Sequence, residues 1–272
     1  MFMTGKKPRP GTEPMYSRRN RNDFPITAGY DSVEYTDFVG SHLLSSEDML
    51  ISQSFHNECF SGIFAPAKIY SPRPAVSWEI PPDYDSFLEL VNKSKQIYSI
   101  ACDEKLGFGV VFLANYGTDQ TNLANTSDIE NVREDGFQIT ACAARGSTFY
   151  IIMTKGTKEY KGKQAWFTLN SWAEAKNVIQ ENRTRGRVVT GICYSTGQRK
   201  YLVVVMKSSH DQIYRKFHRV ADLDNWVKER YKEGFHPTII FKDPADNKTL
   251  VVMIKGEHRS FYTCKYDCKV VC

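Results

Sequence analysis

A pattern of about 48 residues recurs along the chain, and it constrains the fold more than any other feature. Four segments align: residues 97–117, 136–156, 186–208 and 234–256. Each opens with a β-branched or aromatic stretch that ends in Thr or Ser. A short polar loop follows, then a strongly apolar run that closes on Asn115, Lys155, Lys207 or Lys255. Three of the segments start on Gly136, Gly186 and Gly234. Gln120, Gln212 and Ser260 stand five residues after their anchors, and Gln164 stands nine after Lys155, which implies an inserted loop there. A third apolar-polar stretch comes next: QAWFTLN, QIYRKFHR and SFYTCKYD. Short length and β-branched and aromatic enrichment make these runs strands. GFGVVF (107–112) looks like the start of a phosphate loop, but it lacks the third Gly and the following helix, so it reads as a repeat strand.

A polar-periodic stretch precedes each pair of strands: 83–96, 127–136, 171–186 and 221–234. Apolar residues at i, i+3 and i+4, such as Phe87, Leu88 and Val91 or Leu223, Trp226 and Val227, predict amphipathic helices. Asp83, Ser127, Ser171 and Asp222 are the candidate N-caps. Gly136, Gly186 and Gly234 suit helix ends, where the chain turns through a left-handed conformation. Trp172 and Trp226 are expected to pin their helices to the adjacent sheet.

The expected fold is α+β, with about four helix–strand–strand–strand repeats over 77–126, 127–170, 171–219 and 220–272. Near-continuous apolar runs suggest central strands covered on both faces. A lone three-stranded unit cannot cover both, so neighbours must pack on one another. A propeller-like toroid hides the end surfaces, whereas an open repeat stack exposes them. Residues 1–76 read as an extended basic and aromatic N-terminal arm, within which 50–76 carries apolar stretches able to complete a unit or cap one end.

The repeats resemble the C-terminal region of plant casein-kinase-I-like proteins. The matching elements are Trp226 with Gly234-Phe235-His236-Pro237-Thr238 and Met253-Ile254-Lys255-Gly256, then Gly136-Phe137-Gln138-Ile139-Thr140 and Met153-Thr154-Lys155-Gly156, and Gln212-Ile213-Tyr214. The similarity spans about residues 78–270. There is no kinase domain on this chain, and Pro237 stands where the pattern has a β-branched residue. The resemblance implies a non-catalytic repeat domain and brings no ligand with it.

Charge is unevenly placed. The net charge is +5, yet Lys6, Lys7, Arg9, Arg18, Arg19 and Arg21 against Glu13 and Asp23 leave residues 1–24 at +4. A Pro-containing basic arm suits an acidic partner, whereas the rest of the chain is close to neutral. No apolar run reaches the roughly 18–20 residues of a membrane span. No secretory signal is evident at the N-terminus, and the expected location is cytoplasmic.

The seven cysteines show one pattern, Cys264, Cys268 and Cys272, which reads as small core residues rather than a metal site. His56-Asn57-Glu58 lacks the P-C-x-x-C that a zinc deaminase needs. No other catalytic motif is present, so no catalytic residue, cofactor or metal is expected.

The candidate partner-binding residues are the basic arm and Lys155, Lys207 and Lys255, which repeat equivalence places on one face. The leading expectation is a non-enzymatic interaction scaffold in a larger cytoskeletal assembly such as a ciliary microtubule, with an acidic protein surface such as tubulin as partner. The alternatives are nucleic-acid binding through the arm, or a regulatory or enzymatic domain with a central small-molecule pocket.

Overall fold

The computed structural model describes residues 48–56, 59–66, 76–79, 81–91, 95–104, 107–114, 119–155, 164–255 and 269–271. They form five three-stranded antiparallel sheets, here units 1 to 5. Unit 1 holds β1 (Asp48–His56), β2 (Cys59–Pro66) and β15 (Lys269–Val271). Unit 2 holds β3 (Val76–Glu79), helix α1 (Tyr84–Val91), β4 (Lys95–Asp103) and β5 (Gly107–Ala114). Unit 3 holds β6 (Gln120–Leu123), α2 (Ile129–Glu134), β7 (Phe137–Arg145) and β8 (Thr148–Lys155). Unit 4 holds β9 (Gln164–Leu169), α3 (Trp172–Thr184), β10 (Arg187–Ser195) and β11 (Lys200–Lys207). Unit 5 holds β12 (Gln212–Phe217), α4 (Val220–Lys232), β13 (Phe235–Asp243) and β14 (Lys248–Lys255).

The α+β reading holds, but the repeat is phased differently. The third strand after each hairpin pairs with the next sheet: Gln120–Leu123 with β8, Gln164–Leu169 with β11, and Gln212–Phe217 with β14. The unit is strand–helix–strand–strand, so the boundaries at 126/127, 170/171 and 219/220 cut each sheet from its outer strand. Sequence spacing cannot detect this, because a period looks the same from any starting point. The shift leaves a hairpin without an outer strand before unit 2 and an outer strand without a hairpin after unit 5. β15 therefore pairs with β2, and the two ends of the chain build unit 1. There are five units, not four. Asp48–His56 and Cys59–Pro66, inside the expected arm, pair as antiparallel strands and complete a unit. Residues 1–47 lie outside the described residues.

In every unit the hairpin's second strand is central: β2, β5, β8, β11 or β14. Its first strand faces inward, and these inner strands touch in succession: β1 with β4, β4 with β7, β7 with β10, β10 with β13, and β13 with β1.

Alternation along the central strands explains their apolar runs. Tyr201, Val203 and Val205 of β11 pack on Ala175 and Ile179 of α3 and on Ile239, Phe241, Leu250 and Val252 of unit 5. Leu202 and Val204 face the other way, onto Ile129 of α2 and Ile151 and Met153 of unit 3. The helices of units 2 to 4 are thus wedged between their own sheet and the next, whereas Leu223 and Val227 of α4 pack on unit 5 itself. Trp172 lies 6.0 Å from the Tyr201 ring and 6.4 Å from the Tyr214 ring of the next unit. Trp226 packs on Phe217 at 5.3 Å.

Two of the four expected caps form. Asp83 accepts from the Ser86 amide at 2.8 Å, and Ser171 accepts from the Glu174 amide at 3.2 Å. Ser127 and Asp222 do not cap, because the helices there begin after Asp128 and Arg219, neither of which makes a side-chain cap bond. Gly136, Gly186 and Gly234 take φ of 88°, 68° and 83°, the left-handed conformation expected where a helix turns into a strand.

Candidate functional site: the lysine edge and the unit seams

Lys155, Lys207 and Lys255 are exposed, and each is the last residue of its central strand. Their register partners are Phe137, Arg187 and Phe235, the first residues of the inner strands. All three therefore lie on the same edge of three successive units. Lys155 Nζ sits 5.4 Å from the centre of the Phe137 ring, and Lys255 Nζ sits 5.5 Å from that of Phe235. These contacts orient the ammonium groups while leaving them in water. The fourth anchor shifts by one residue: Lys95 pairs with Ala114, so Ala114 rather than Asn115 is the register equivalent. Asn115 and the arm residues Lys6, Lys7, Arg9, Arg18, Arg19 and Arg21 lie outside the described residues, as do Cys264, Cys268 and Cys272.

The repeated glutamines do not share that surface. Each reaches across a seam and grips the backbone of the preceding unit. Gln120 accepts from the Ile97 amide at 2.7 Å and donates to the Ile97 carbonyl at 2.8 Å. Gln164 makes the same pair of bonds with Ile139, both at 2.9 Å. Gln212 does so with Val189, at 2.8 and 2.9 Å. The need arises from a β-bulge in every inner strand, at Ile51, Tyr98, Thr140, Thr190 and Thr238. A bulge disrupts the ladder and leaves backbone groups unpaired, and the glutamine amide, with one donor and one acceptor, satisfies both. In unit 5 the residue before the bulge is Pro237, which has no amide hydrogen to give.

Two small cavities lie between the inner strands. One, of about 80 Å³, is lined by bulge residues Tyr98, Thr140, Thr190 and Thr238 with Ser52 and Gln53. The other, of about 50 Å³, is lined by Cys102, Cys142 and Cys193 among others, and Gln53 borders both. Gln53 donates to the carbonyls of Ser99 at 3.2 Å and Gly109 at 2.6 Å. A water needs roughly 10–15 Å³ of such space, so the larger cavity has room for several waters. Burial pushes the Cys102 and Cys193 thiols well above their usual range, which removes the thiolate needed for nucleophilic attack or metal capture. Among the described residues no cluster of His, Cys, Asp and Glu is placed to hold a metal.

A charged network that sequence reading missed closes the seam between units 4 and 5. Lys216 of β12 bonds to the fully buried Asp243 and, at 3.1 Å, to Asp246. Tyr201 donates to Asp243 at 2.7 Å, and Lys216 Nζ lies 4.0 Å from the centre of the Trp172 ring. Burial, and then the bond to Asp243, push the Tyr201 phenol far above its usual range, so it stays protonated and structural. On the hairpin-turn side, Glu104 of unit 2 accepts from the Gly146 amide at 2.7 Å and from Thr196 Oγ1 at 2.8 Å, joining three units. These partners are 27 to 92 residues apart, so no local motif announces them.

Among the described residues no helix is long and apolar enough to cross a membrane. No curated protein matches the chain. One family model, described as a domain of unknown function (DUF7477), matches residues 114–267, which span units 3 to 5 with their three glutamine clasps and three exposed lysines. The chain belongs to the DUF7477 family.

Proposed function

We propose that the protein is a non-catalytic interaction scaffold: five units close into a propeller-like toroid that presents its lysine edge, together with the basic N-terminal arm, to an acidic protein surface. The observation that carries this reading is the repetition of an exposed lysine at one register position in three successive units, two of them seated on an aromatic ring. Closure is supported by the contact of β13 with β1 and by Ser52 and Ser54, which accept from the Ile240 and Lys242 amides at 3.2 and 2.7 Å across 188 residues of sequence. An open stack would leave those amides to water. The scaffold reading, rather than enzymatic use of a central pocket, is supported by the small size of the two cavities between the inner strands and by the structural use of the buried Lys216, Asp243 and Tyr201. The resemblance to the repeat region of casein-kinase-I-like proteins fits the same reading, and a cytoskeletal assembly with a tubulin surface is its most specific form.

Co-sedimentation with microtubules tests this. The full chain is compared with a variant lacking residues 1–24 and with a K155E/K207E/K255E variant. Both variants are expected to bind at least about tenfold more weakly, since each loses several charge contacts. Equal binding by all three, or none by the full chain, overturns the tubulin form of the proposal. Binding to RNA instead, with a steep fall in affinity as salt rises, assigns the charge to phosphate.

A further inference from the structure

Units 3, 4 and 5 build the same corner on the lysine edge: a helix ends, a glycine turns the chain, and the inner strand begins beside the last residue of the central strand. In units 3 and 5 an acidic residue, Asp135 or Glu233, precedes the glycine. An aromatic residue, Phe137 or Phe235, follows it and seats the lysine. Unit 4 departs at both positions. Arg185 precedes Gly186, and Arg187 follows it and stands directly opposite Lys207.

Backbone hydrogen bonds gather these cations into one turn. The Arg185 amide donates to the Asn182 carbonyl at 3.0 Å, and the Gly186 amide to the Arg183 carbonyl at 3.0 Å. The Ser208 amide donates to the Gly186 carbonyl at 2.9 Å, which ties the end of α3 to the end of β11. Arg185 and Lys207 are exposed, Arg187 is half-buried, and the exposed Arg183 flanks them. None of the four forms an ion pair among the described residues, and neither does Glu181 of the last helical turn.

A buried residue holds Arg187 in place. Arg187 Nη1 donates to Asn182 Oδ1 at 3.2 Å, and Asn182, only 3% exposed, donates through Nδ2 to the Val178 carbonyl at 2.9 Å. The same position, four residues before the glycine, is Val132 in unit 3 and Arg230 in unit 5. Of these three units, only unit 4 spends a buried amide on orienting a cation at the edge. Folding does not account for the cluster. The helix dipole favours Arg183 and Arg185 at the end of α3. Arg187 and Lys207 belong to paired strands, where like charges placed opposite each other lower stability. A bound anion turns that cost into affinity.

We propose that the corner formed by Arg185, Arg187 and Lys207 docks a phosphate monoester carried by a partner protein, with Asn182 as a positioning residue. A phosphate monoester brings about 1.5 to 2 negative charges and three acceptor oxygens. A carboxylate brings one charge and two oxygens, enough for a single guanidinium fork. Two arginines and a lysine gathered at one glycine turn match the phosphate better. The inference rests on the scaffold reading and narrows it: unit 4 recognises the phosphate, while Lys155 and Lys255 add general attraction to an acidic surface.

An amide NMR titration of the full chain decides it. The probe is a short glycine peptide with one central phosphoserine, and the comparison is the same peptide with aspartate in its place. Saturable shifts are expected at the amides of Gly186, Arg187, Lys207 and Ser208, with the aspartate peptide at least about tenfold weaker. R187F installs the ring that units 3 and 5 use. It is expected to weaken phosphopeptide binding at least about tenfold while the urea midpoint holds or rises. K207A, an exposed change, is expected to weaken binding in the same sense, and N182V to weaken it and shift the Arg187 Nε–H signal. Equal affinity for the two peptides overturns the proposal, as do equal shifts at Lys155 and Lys255, or R187F and K207A without loss. Tighter binding of oligouridylate than of the phosphopeptide also overturns it, by assigning the corner to nucleic acid. Microtubule co-sedimentation reports the scaffold reading separately. Its failure with phosphopeptide binding intact sinks only the tubulin form, and the converse sinks only this site.

Discussion

The seams between units 2 and 5 differ from the two seams of unit 1. Those between 2 and 3, 3 and 4, and 4 and 5 share one device, a glutamine that fills both bonding needs of the bulged strand before it. At the seam between units 5 and 1 the corresponding residue is Pro237, which cannot give the amide bond. At the seam between 1 and 2, the register equivalent of Gln120 is Val76, which has no polar atom. Unit 1 is held instead from its inner strand, by Ser52 and Ser54 toward unit 5 and by Gln53 toward unit 2. Units connected in sequence can repeat one solution. The unit assembled from distant stretches of the chain uses another, since no single continuous segment links its outer strand to its inner strand.

The comparison can be broken most severely at the seam between units 4 and 5. K216A leaves the buried Asp243 carboxylate without its cation, at a cost of about 3–5 kcal/mol, the range for breaking one side of a buried pair. Urea unfolding should show it, and K216A/D243N should recover part of the loss. Q212A comes next. It strands the Val189 amide and carbonyl, each worth about 1–3 kcal/mol when buried without a partner, so the clasped seam should fall toward the level of those flanking unit 1. An equal loss from a glutamine-to-alanine change on the exposed surface would count against the clasp. V76Q works in the opposite direction. It supplies the missing amide opposite Leu50 and should raise the unfolding midpoint by the equivalent of about 1 kcal/mol; no change would show that the seam geometry of unit 1 differs. The smallest effect is at the start of α1. Bonds from the Ser86 side chain and then its backbone amide hold the Asp83 carboxyl below its usual range. The group favours the folded state above its unfolded pKa, and that contribution fades as pH falls through the lower folded value. The protection factor of the Ser86 amide, its exchange rate corrected for the intrinsic rate at each pH, should therefore fall at low pH, and D83N should remove most of this pH dependence.

Much of the array was legible in the residues. Glycines at three helix ends, apolar runs for doubly covered strands, and a lysine closing three of those runs all lie where spacing puts them. The phase of the unit was not legible, because a periodic pattern fits equally well when cut before or after its third strand. The role of the glutamines was half visible: their recurrence marked them as equivalent, but only the bulges showed that they serve the backbone rather than a surface. Asn115 reads as an anchor because a single polar residue ends its run, but the pairing of Lys95 with Ala114 moves the equivalence by one residue. The Lys216–Asp243–Tyr201 network left no trace in local pattern.

By itself the sequence determined the module, since alternation, capping and glycine placement act over a few residues and need no distant partner. It also fixed which strands must be covered on both sides. Tertiary structure alone decided which strand joins which sheet, and it brought β15 from one end of the chain to β2 near the other. It decided too which polar residues are consumed in holding seams and which are left to solvent. Those outcomes depend on backbone groups that only become unsatisfied once neighbouring units have packed, and no sequence window contains both sides of that contact.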